Sequence, residues 1–194
     1  MFNGIIYNRG VLKSTKKIKN NSIIELKSNI KISSSDIGGS IACDGVCLTL
    51  TKINKKSLFF YLSSETLQRT TFKYMKVGNF INLEKSLIYG KRLSGHYTQG
   101  HVDLTGQVSN IIQSGKVWTL QVFISKKFHK YLVEKGSISI NGVSLTISKI
   151  NRSNFEVTII PHTLKLTNLI NLKKKDFVNI ELDIFSKYIL DLKK

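Results

Sequence analysis

The sequence predicts a mainly β protein made of two homologous domains, each a small closed barrel. The main observation is an internal repeat, in which Gly38 to Ile53 returns 97 residues later as Lys135 to Ile150 without a gap. The same offset relates Glu65 to Thr71 with His162 to Asn168. A period of about one hundred residues is too long for a solenoid unit and indicates a duplicated domain. Domains this small are only marginally stable alone, so we expect each half to bury surface against the other or against further chains.

Strand signals supply the second observation, because β-branched and apolar residues alternate in short runs in both halves. Inside the repeat, Asp44-Gly45 and Asn141-Gly142 are dipeptides typical of a tight turn with positive φ. Short strands with few helical patterns favour closed barrels, which leave no exposed edge strand. The predicted strands are Ile41 to Thr51, Leu58 to Leu62, Phe80 to Leu83, Trp118 to Ile124, Ser137 to Ile147, Phe155 to Ile160 and Phe177 to Leu182.

Four segments depart from the strand pattern. One or two helical turns are predicted over Thr66 to Tyr74 and over Thr163 to Leu172, and apolar residues recur at helical spacing in Ser125 to Glu134. At the end of the chain, Ile184 to Lys193 has the spacing of an amphipathic helix. This last segment has no counterpart in the first half, and we expect it to serve in assembly.

Composition excludes several classes of protein. The 194 residues, 41% of them hydrophobic, are typical of a soluble globular chain, with no apolar run of membrane-spanning length and no secretory signal. We therefore expect a cytoplasmic protein that does not enter a membrane. Of the two cysteines, Cys43 aligns with Ile140 and suggests apolar packing, whereas Cys47 aligns with Ser144 and keeps a small polar atom. A reducing compartment and the absence of a neighbouring histidine argue against a disulfide and against a zinc site.

The net charge of +18 raises the question of nucleic acid. Lysines are nevertheless scattered through a chain that is also rich in Ile and Asn, and the clusters Lys13 to Lys19, Lys126 to Lys130 and Lys173 to Lys175 are predicted in loops or on helix faces. A basic RNA-binding barrel would need exposed aromatic residues, whereas Phe59 to Tyr61 lies in a strand that is predicted to be half buried. We expect no nucleic-acid partner.

The repeated motif indicates a binding site of another kind. It contains neither a Walker A pattern nor GxGxxG, so those routes to nucleotide binding are unsupported. Its small residues allow close approach of backbone N–H and C=O groups to a planar heterocycle beside Leu48-Thr49 and Leu145-Thr146, with hydroxyls from Thr66 and Thr163. The same residue types also serve turns and strand edges, so both interpretations stay open.

Two glycine-flanked histidines, His96 and His101, lie in the segment Ser94 to His101 between the repeats. Histidine is the side chain best suited to proton transfer near neutral pH. At the offset of 97, His101 aligns with Gly4, so the two halves are expected to differ at this position.

Several motifs together resemble the riboflavin synthase family: Met1 to Ile6, the paired DGVCLT and NGVSLT segments, GHYTQGHVD, and the paired ETLQRT and HTLKLT segments. The resemblance covers essentially the whole chain. It implies two tandem homologous six-stranded Greek-key β-barrels, residues 1–97 and 98–183, followed by a C-terminal α-helix, residues 184–194, that serves trimerisation. The implied reaction is the dismutation of two 6,7-dimethyl-8-ribityllumazine molecules to riboflavin and a ribitylamino-pyrimidinedione, without cofactor or metal.

The resemblance also implies site residues. The catalytic set is His101, Ser144, Asp183, Cys47 and Ser40, with His101 moving protons while Ser144 and Asp183 orient or activate the group that adds at C7 of one lumazine. The first lumazine is expected to meet Gly4, Ile5, Ile6, Cys47, Leu48, Thr49, Tyr61, Leu62, Ser63, Ser64, Glu65 and Thr66. The second is expected to meet Gly100, His101, Val102, Lys135, Ser144, Leu145, Thr146, Thr158, Ile159, Ile160, Pro161, His162 and Thr163.

In this family the active sites lie between subunits of a homotrimer, so we expect activity to depend on assembly. Association with lumazine synthase stays open. The main competing interpretation is a non-catalytic lumazine- or flavin-binding protein of the same fold, in which the pocket only holds a chromophore.

Overall fold

The computed structural model describes residues 1–192 and consists of two closed six-stranded antiparallel barrels and a C-terminal helix, which confirms the predicted fold class. The last two residues of the predicted C-terminal helix, 193 and 194, lie outside the described part. The first barrel contains β1 (Asn8–Ile18), β2 (Asn21–Ser28), β3 (Ser40–Cys43), β4 (Val46–Asn54), β5 (Ser57–Leu62) and β6 (Phe80–Lys85). The second contains β7 (Leu104–Ser114), β8 (Val117–Phe123), β9 (Ser137–Ile140), β10 (Val143–Ile150), β11 (Asn154–Ile159) and β12 (Phe177–Leu182).

Both barrels have the same strand order. Around the first barrel the order is β1-β2-β5-β4-β3-β6, and the second follows the same path six strands later. A short helix follows the fifth strand of each barrel: α1 (Ser64–Arg69) and α2 (Pro161–Leu166). A single 3-10 turn comes next in each half, Thr71–Tyr74 and Asn168–Asn171. The helical turns predicted over Thr66 to Tyr74 and over Thr163 to Leu172 are therefore confirmed.

The barrel interiors are filled by alternate side chains of each strand, as the period of a β-strand requires. Phe60 in β5 and Phe155 in β11 are fully buried, and at the offset of 97 they correspond to the buried residues Val157 and Leu58 of the other barrel. Cys43 is also fully buried among apolar residues, which confirms its predicted packing role.

The sequence-based strand list was incomplete, because β1, β2 and β7 were not predicted. The prediction that Lys13 to Lys19 lie in a loop or on a helix face is wrong, since β1 runs through Ile18. The outer half of β1 is exposed on both faces, so no core selects an alternating pattern there. The segment Ser125 to Glu134, with its helical spacing, forms a 3-10 helix over Lys126–Tyr131.

The Asp-Gly and Asn-Gly turns join the two barrels. Asp44 and Gly45 have φ of 46° and 75°, and Asn141 and Gly142 have φ of 47° and 77°, which confirms the predicted turns with positive φ. The turns pack against each other, because a Cβ atom on Gly45 would lie 2.7 Å from the backbone nitrogen of Gly142. Glycine is therefore required in both copies of the motif.

A buried network of hydrogen bonds related by pseudo-twofold symmetry surrounds these turns. Asn82 N donates to Asp44 Oδ1 at 2.7 Å, and Asn179 N donates to Asn141 Oδ1 at 2.8 Å. Each asparagine then crosses to the other barrel: Asn82 Nδ2 donates to Asn141 O and Asn179 Nδ2 donates to Asp44 O, both at 2.9 Å. Such saturated buried amides fix one relative orientation of the two barrels.

The C-terminal helix α3 (Ile184–Asp191) begins directly after β12, and Asp183 caps it by accepting a hydrogen bond from Phe185 N at 2.8 Å. Its apolar side chains point away from the barrels, since Phe185, Tyr188 and Ile189 are 62%, 63% and 55% exposed. An uncovered apolar helix face of this kind is typical of an interface. No helix within residues 1–192 has the length and apolar character needed to cross a membrane.

Candidate active site

Two extended segments, Phe2 to Gly4 and Thr98 to Gly100, run antiparallel between the barrels. They are joined by hydrogen bonds from Phe2 N to Thr98 O at 2.8 Å and from Thr98 N to Phe2 O at 3.2 Å. Phe2 and Thr98 are 1% and 3% exposed. We call these the crossing segments, because each of them leads from one barrel to a contact with the other.

The contacts of the crossing segments are exchanged between the barrels. Gly4, which precedes the first barrel, accepts a hydrogen bond from Ser144 N of the second barrel at 2.8 Å. Gly100, which precedes the second barrel, accepts one from Cys47 N of the first barrel, also at 2.8 Å. Apolar packing follows the same exchange, since Ile6 belongs to the core of the second barrel and Val102 packs against the core of the first.

This exchange corrects two sequence-based assignments. Gly4 to Ile6 were grouped with the Cys47 side, and Gly100 to Val102 with the Ser144 side, whereas the structure places each against the opposite barrel. The alignment of His101 with Gly4 was also wrong. Gly4 and Gly100 make equivalent contacts and are 96 residues apart, not 97, so His101 corresponds to Ile5.

Ser144, at the second position of β10, has the most specific side-chain contact of the predicted catalytic set. Its Oγ lies 2.7 Å from Nδ1 of His96, and the tautomer of the imidazole decides which atom donates. Gly95 allows this approach, because a Cβ there would collide with Asn3 O and lie 2.9 Å from Ser144 Oγ. Asn3 O also accepts a hydrogen bond from His96 N at 3.3 Å, so the crossing segment holds the histidine as well as the serine.

His96 is only 9% exposed, and this burial lowers its pKa below the ordinary value of 6.5 because the charged imidazolium loses hydration. The negative charge of Asp183 opposes the shift. The imidazole is therefore neutral at physiological pH and able to accept a proton from a hydroxyl group at hydrogen-bond distance. His101 was the histidine predicted in the catalytic set, whereas the structure places His96 against Ser144. The sequence signal that points to His96 is Gly95, because a glycine is needed where neighbouring atoms leave no room for a Cβ.

The other predicted catalytic residues are distributed around both barrels. Cys47 is half buried against Gly100, and a Cβ on Gly100 would lie 2.6 Å from Cys47 Cβ. His101 is exposed beside Gly100 and has no hydrogen bond within residues 1–192. Ser40 begins β3 and pairs with Thr49 of β4, as Ser137 pairs with Thr146 in the second barrel. The structure thus joins Ser144 to His96 and leaves His101 and Cys47 on the other side of the crossing segments.

The predicted binding residues form two equivalent surfaces, each at the end of a β-hairpin and the start of a short helix. Exposed polar groups on the first surface include Thr49 and Glu65, whose carboxylate lies 3.0 Å from Arg69 Nε. In the second barrel the corresponding exposed residues are Thr146 and His162. The full first set from β4 to α1 is Cys47, Leu48, Thr49, Tyr61, Leu62, Ser63, Ser64, Glu65 and Thr66, and the full second set is Lys135, Ser144, Leu145, Thr146, Thr158, Ile159, Ile160, Pro161, His162 and Thr163.

Not every predicted contact can use a side chain. Leu48, Leu62, Leu145 and Ile159 point into the barrel cores and are at most 9% exposed, so they offer only backbone groups to a ligand. Tyr61 and Ile160 are 46% and 54% exposed and present apolar surface for stacking. Among residues 1–192, no three His, Cys, Asp or Glu side chains cluster in an arrangement that could hold a metal ion.

Comparison with known proteins assigns both halves of the chain to one domain family. The lumazine binding domain family matches residues 3–86 and again residues 99–183. The chain is 40% identical to the riboflavin synthase of Photobacterium leiognathi, with 100% of this chain and 89% of that one aligned. It is 32% identical to the riboflavin synthase of Bacillus subtilis, over 97% of this chain and 88% of that one.

Solved structures of similar fold are also found. LumP in complex with 6,7-dimethyl-8-(1'-D-ribityl) lumazine superposes with a TM-score of 0.81 at 25% identity, covering 93% of this chain and 98% of that one. LumP in complex with riboflavin superposes with a TM-score of 0.84 at 24% identity, covering 94% and 99%, and shows the likeness of fold. With a twice-matched binding domain and relatives of more than 30% identity along its whole length, this chain belongs to the riboflavin synthase family of transferases.

Proposed function

We propose that this chain catalyses the dismutation of two molecules of 6,7-dimethyl-8-ribityllumazine. One molecule transfers a four-carbon unit to the other, giving riboflavin and 5-amino-6-(D-ribitylamino)uracil. The observation that carries this proposal is the pair of similar but unequal surfaces, one at Cys47 and one at Ser144, which is joined by the crossing segments. One substrate used twice in different roles requires two such pockets, and stacking the two rings in a fixed orientation supplies proximity.

The Ser144–His96 pair supplies the activated group in the second barrel. As the hydroxyl of Ser144, or a water molecule that it orients, adds to C7 of one lumazine, its proton passes to neutral His96. The resulting imidazolium is stabilised by the negative charge of Asp183. This assignment adds His96 to the Ser144 and Asp183 pair that the family resemblance implied.

The other lumazine lies on the first barrel. Cys47 and Ser40 belong to its pocket through the paired strands β3 and β4, and His101 lies next to it at the end of a crossing segment. The methyl group on C7 of this lumazine must lose a proton before it can attack, and His101 shuttles that proton. Its exposure is compatible with a role towards a substrate held partly by another subunit.

The same proposal includes a homotrimer in which the first barrel of one subunit faces the second barrel of the next. It is supported by the uncovered apolar face of α3, where Phe185, Tyr188 and Ile189 are 62%, 63% and 55% exposed. In this arrangement the chain divides into barrels 1–97 and 98–183 and a trimerisation helix, 184–194. We place the enzyme in the cytoplasm, because Cys43 and Cys47 are free thiols. An association with lumazine synthase would shorten the path of the substrate.

The decisive experiment is incubation of the purified chain with 6,7-dimethyl-8-ribityllumazine alone, followed by riboflavin absorbance and fluorescence. We expect turnover without any added cofactor and its loss in Ser144→Ala. Activity that survives in the double variant His101→Ala, Ser144→Ala would overturn the residue assignment. Sedimentation in the same buffer separates the trimer from an active monomer, which would contradict a site between subunits.

A second candidate is a non-catalytic lumazine carrier, which is favoured by the structural likeness to LumP complexes. A carrier has no need for a neutral histidine at 2.7 Å from a serine hydroxyl inside its pocket. Tight binding of lumazine without formation of riboflavin would establish the carrier function in place of the enzyme.

A further inference from the structure

Glu84 and Glu181 occupy equivalent positions in the last strands of the two barrels, β6 and β12. Each belongs to the row of paired residues that includes the reactive side chain of its own barrel: Glu84 is opposite Ala42, and Ala42 is opposite Cys47. Neither glutamate is among the proposed lumazine contacts. Both are nevertheless largely buried, which is costly for a carboxylate unless hydrogen bonds compensate for the lost hydration.

Each glutamate accepts hydrogen bonds from one crossing segment with both of its carboxylate oxygens. Glu84 accepts hydrogen bonds from Asn3 N at 2.8 Å and Gly4 N at 3.0 Å. Glu181 accepts them from Gln99 N at 2.6 Å and Gly100 N at 2.9 Å. Two backbone donors on one carboxylate fix both the position and the direction of the segment.

Each crossing segment is bound by the glutamate of one barrel but contacts the reactive residue of the other barrel. The carbonyl of Gly4, whose amide is bound by Glu84 of the first barrel, receives the hydrogen bond from Ser144 N of the second. The carbonyl of Gly100, whose amide is bound by Glu181 of the second barrel, receives the hydrogen bond from Cys47 N of the first. One glycine residue therefore separates each carboxylate from the reactive residue of the opposite barrel.

We propose that Glu84 and Glu181 are positioning residues that act crosswise, Glu84 orienting Ser144 in the second barrel and Glu181 orienting Cys47 in the first. The inference rests on the proposed assignment of Ser144 and Cys47 to the two lumazine pockets. Crossed positioning couples the pockets of one chain, because neither pocket is complete without a carboxylate of the other barrel.

The test compares Glu84→Gln with Glu181→Gln in the full chain without any ligand. Glutamine has the same shape but only one carbonyl oxygen, and its NH₂ group faces the second backbone N–H. The rate of Cys47 modification by a disulfide reagent reports the first pocket, since Cys43 is 0% exposed and does not react. The imidazole nitrogen resonances of His96 report the second pocket through its contact with Ser144.

We expect Glu181→Gln to change the rate of Cys47 modification roughly tenfold and to leave the His96 resonances unchanged, since one lost intramolecular hydrogen bond is worth up to about that factor. Glu84→Gln should show the reverse pattern. Both variants should lower kcat for lumazine roughly tenfold, with a smaller change in KM. The matched control is Glu25→Gln, which exchanges a carboxylate bonded to the side chains of Ser14 and Ser57 on the outside of the first barrel and should alter none of these readouts.

Crossed positioning would be overturned if each variant changed only the probe in its own barrel. It would also be overturned if both variants changed the Cys47 rate and the His96 resonances equally. Neither probe needs a substrate. A chain that shows the crossed pattern and converts no lumazine would therefore contradict the proposed reaction and leave the positioning roles intact.

Discussion

Asp44 offers the sharpest test of the energetics of the interface between the barrels. It occupies the place of Asn141 in the other repeat, and its Oδ1 accepts hydrogen bonds from Asn82 N at 2.7 Å and Asn168 Nδ2 at 2.9 Å. Its other oxygen has no hydrogen bond within residues 1–192. With 1% exposure, burial raises the pKa of Asp44 to about 8, although these two hydrogen bonds act in the opposite direction.

The sign of the resulting pH effect follows from proton binding. Between the ordinary pKa of 3.8 and the folded pKa of about 8, the folded chain keeps the Asp44 proton that the unfolded chain has lost. The free energy of unfolding therefore falls as pH rises through this window. Asp44→Asn keeps the accepting oxygen and removes the titration, so the variant should match the parent near pH 4 and be more stable at pH 8.5.

The difference in the free energy of unfolding between Asp44→Asn and the parent has an upper limit. The interval from 3.8 to about 8, at ~1.4 kcal/mol per pH unit, sets a ceiling of about 6 kcal/mol. Asp44 lines a cleft of about 520 Å³ between the barrels, together with Lys175 and Asp176. Residual hydration through this cleft reduces the penalty, so we expect about 2 to 4 kcal/mol at pH 8.5. For a chain of this size that is a rise in Tm of roughly 4 to 16 °C.

Urea unfolding of both proteins at pH 4.5, 6.5 and 8.5 measures the effect. The matched control is Asp176→Asn, which makes the same change of net charge at an exposed position of the same cleft. The difference between this control and the parent gives the effect of the charge change alone, which is subtracted from the effect of Asp44→Asn. A difference between Asp44→Asn and the parent that stays constant across the three pH values would refute the assignment of a destabilising buried charge.

Three further predictions concern the site and its assembly. Gly100→Ala should abolish activity and lower the free energy of unfolding by about 1 to 3 kcal/mol, because a methyl group would collide with Cys47. The control Gly90→Ala has the same φ of 79° but open space around it, so it should lose only the smaller part that comes from backbone strain. Thermal unfolding and turnover of the two variants measure the difference. Phe185→Ser should shift the assembly towards monomer and lower activity in parallel, while Ile112→Ser, at a 47% exposed position of β7, should leave sedimentation and turnover unchanged. His96→Gln should reduce kcat by roughly 100-fold with little change in lumazine affinity, and wild-type turnover in this variant would remove the histidine from the mechanism.

The duplicated segments show what a sequence can reveal about this fold. In a repeat, each half acts as a check on the other, so the turns at Gly45 and Gly142 and the strands around them were predicted correctly. The strands β1 and β7 lie in the first third of each half, where the two copies share few identical residues and the offset is 96. Each pairs mainly with the next strand along the chain, and its outer half is mostly exposed, so no core imposes an alternating pattern there.

The candidate site was predicted less completely, for a related reason. Ser144, Cys47 and the surrounding glycines were found from the motif itself. His96 was not chosen, because its role depends on a chain reversal that brings the segment between the barrels back against β10. The exchange of Gly4 and Gly100 between the barrels is likewise a property of the three-dimensional connection, and no spacing in the sequence distinguishes it from an arrangement without exchange.

The two halves share the residues that build the contact between the barrels and differ at the candidate catalytic positions. We infer that divergence after duplication changed the site and kept the scaffold. The glycines at the contact between the barrels, the asparagines that cross it and the glutamates that grip the crossing segments are the same in both copies. The reactive positions differ, with Cys47 against Ser144 and Ile5 against His101. A symmetric frame that carries unequal side chains allows two identical substrates to meet different environments at equivalent positions. We propose that this inequality makes one lumazine the donor and the other the acceptor.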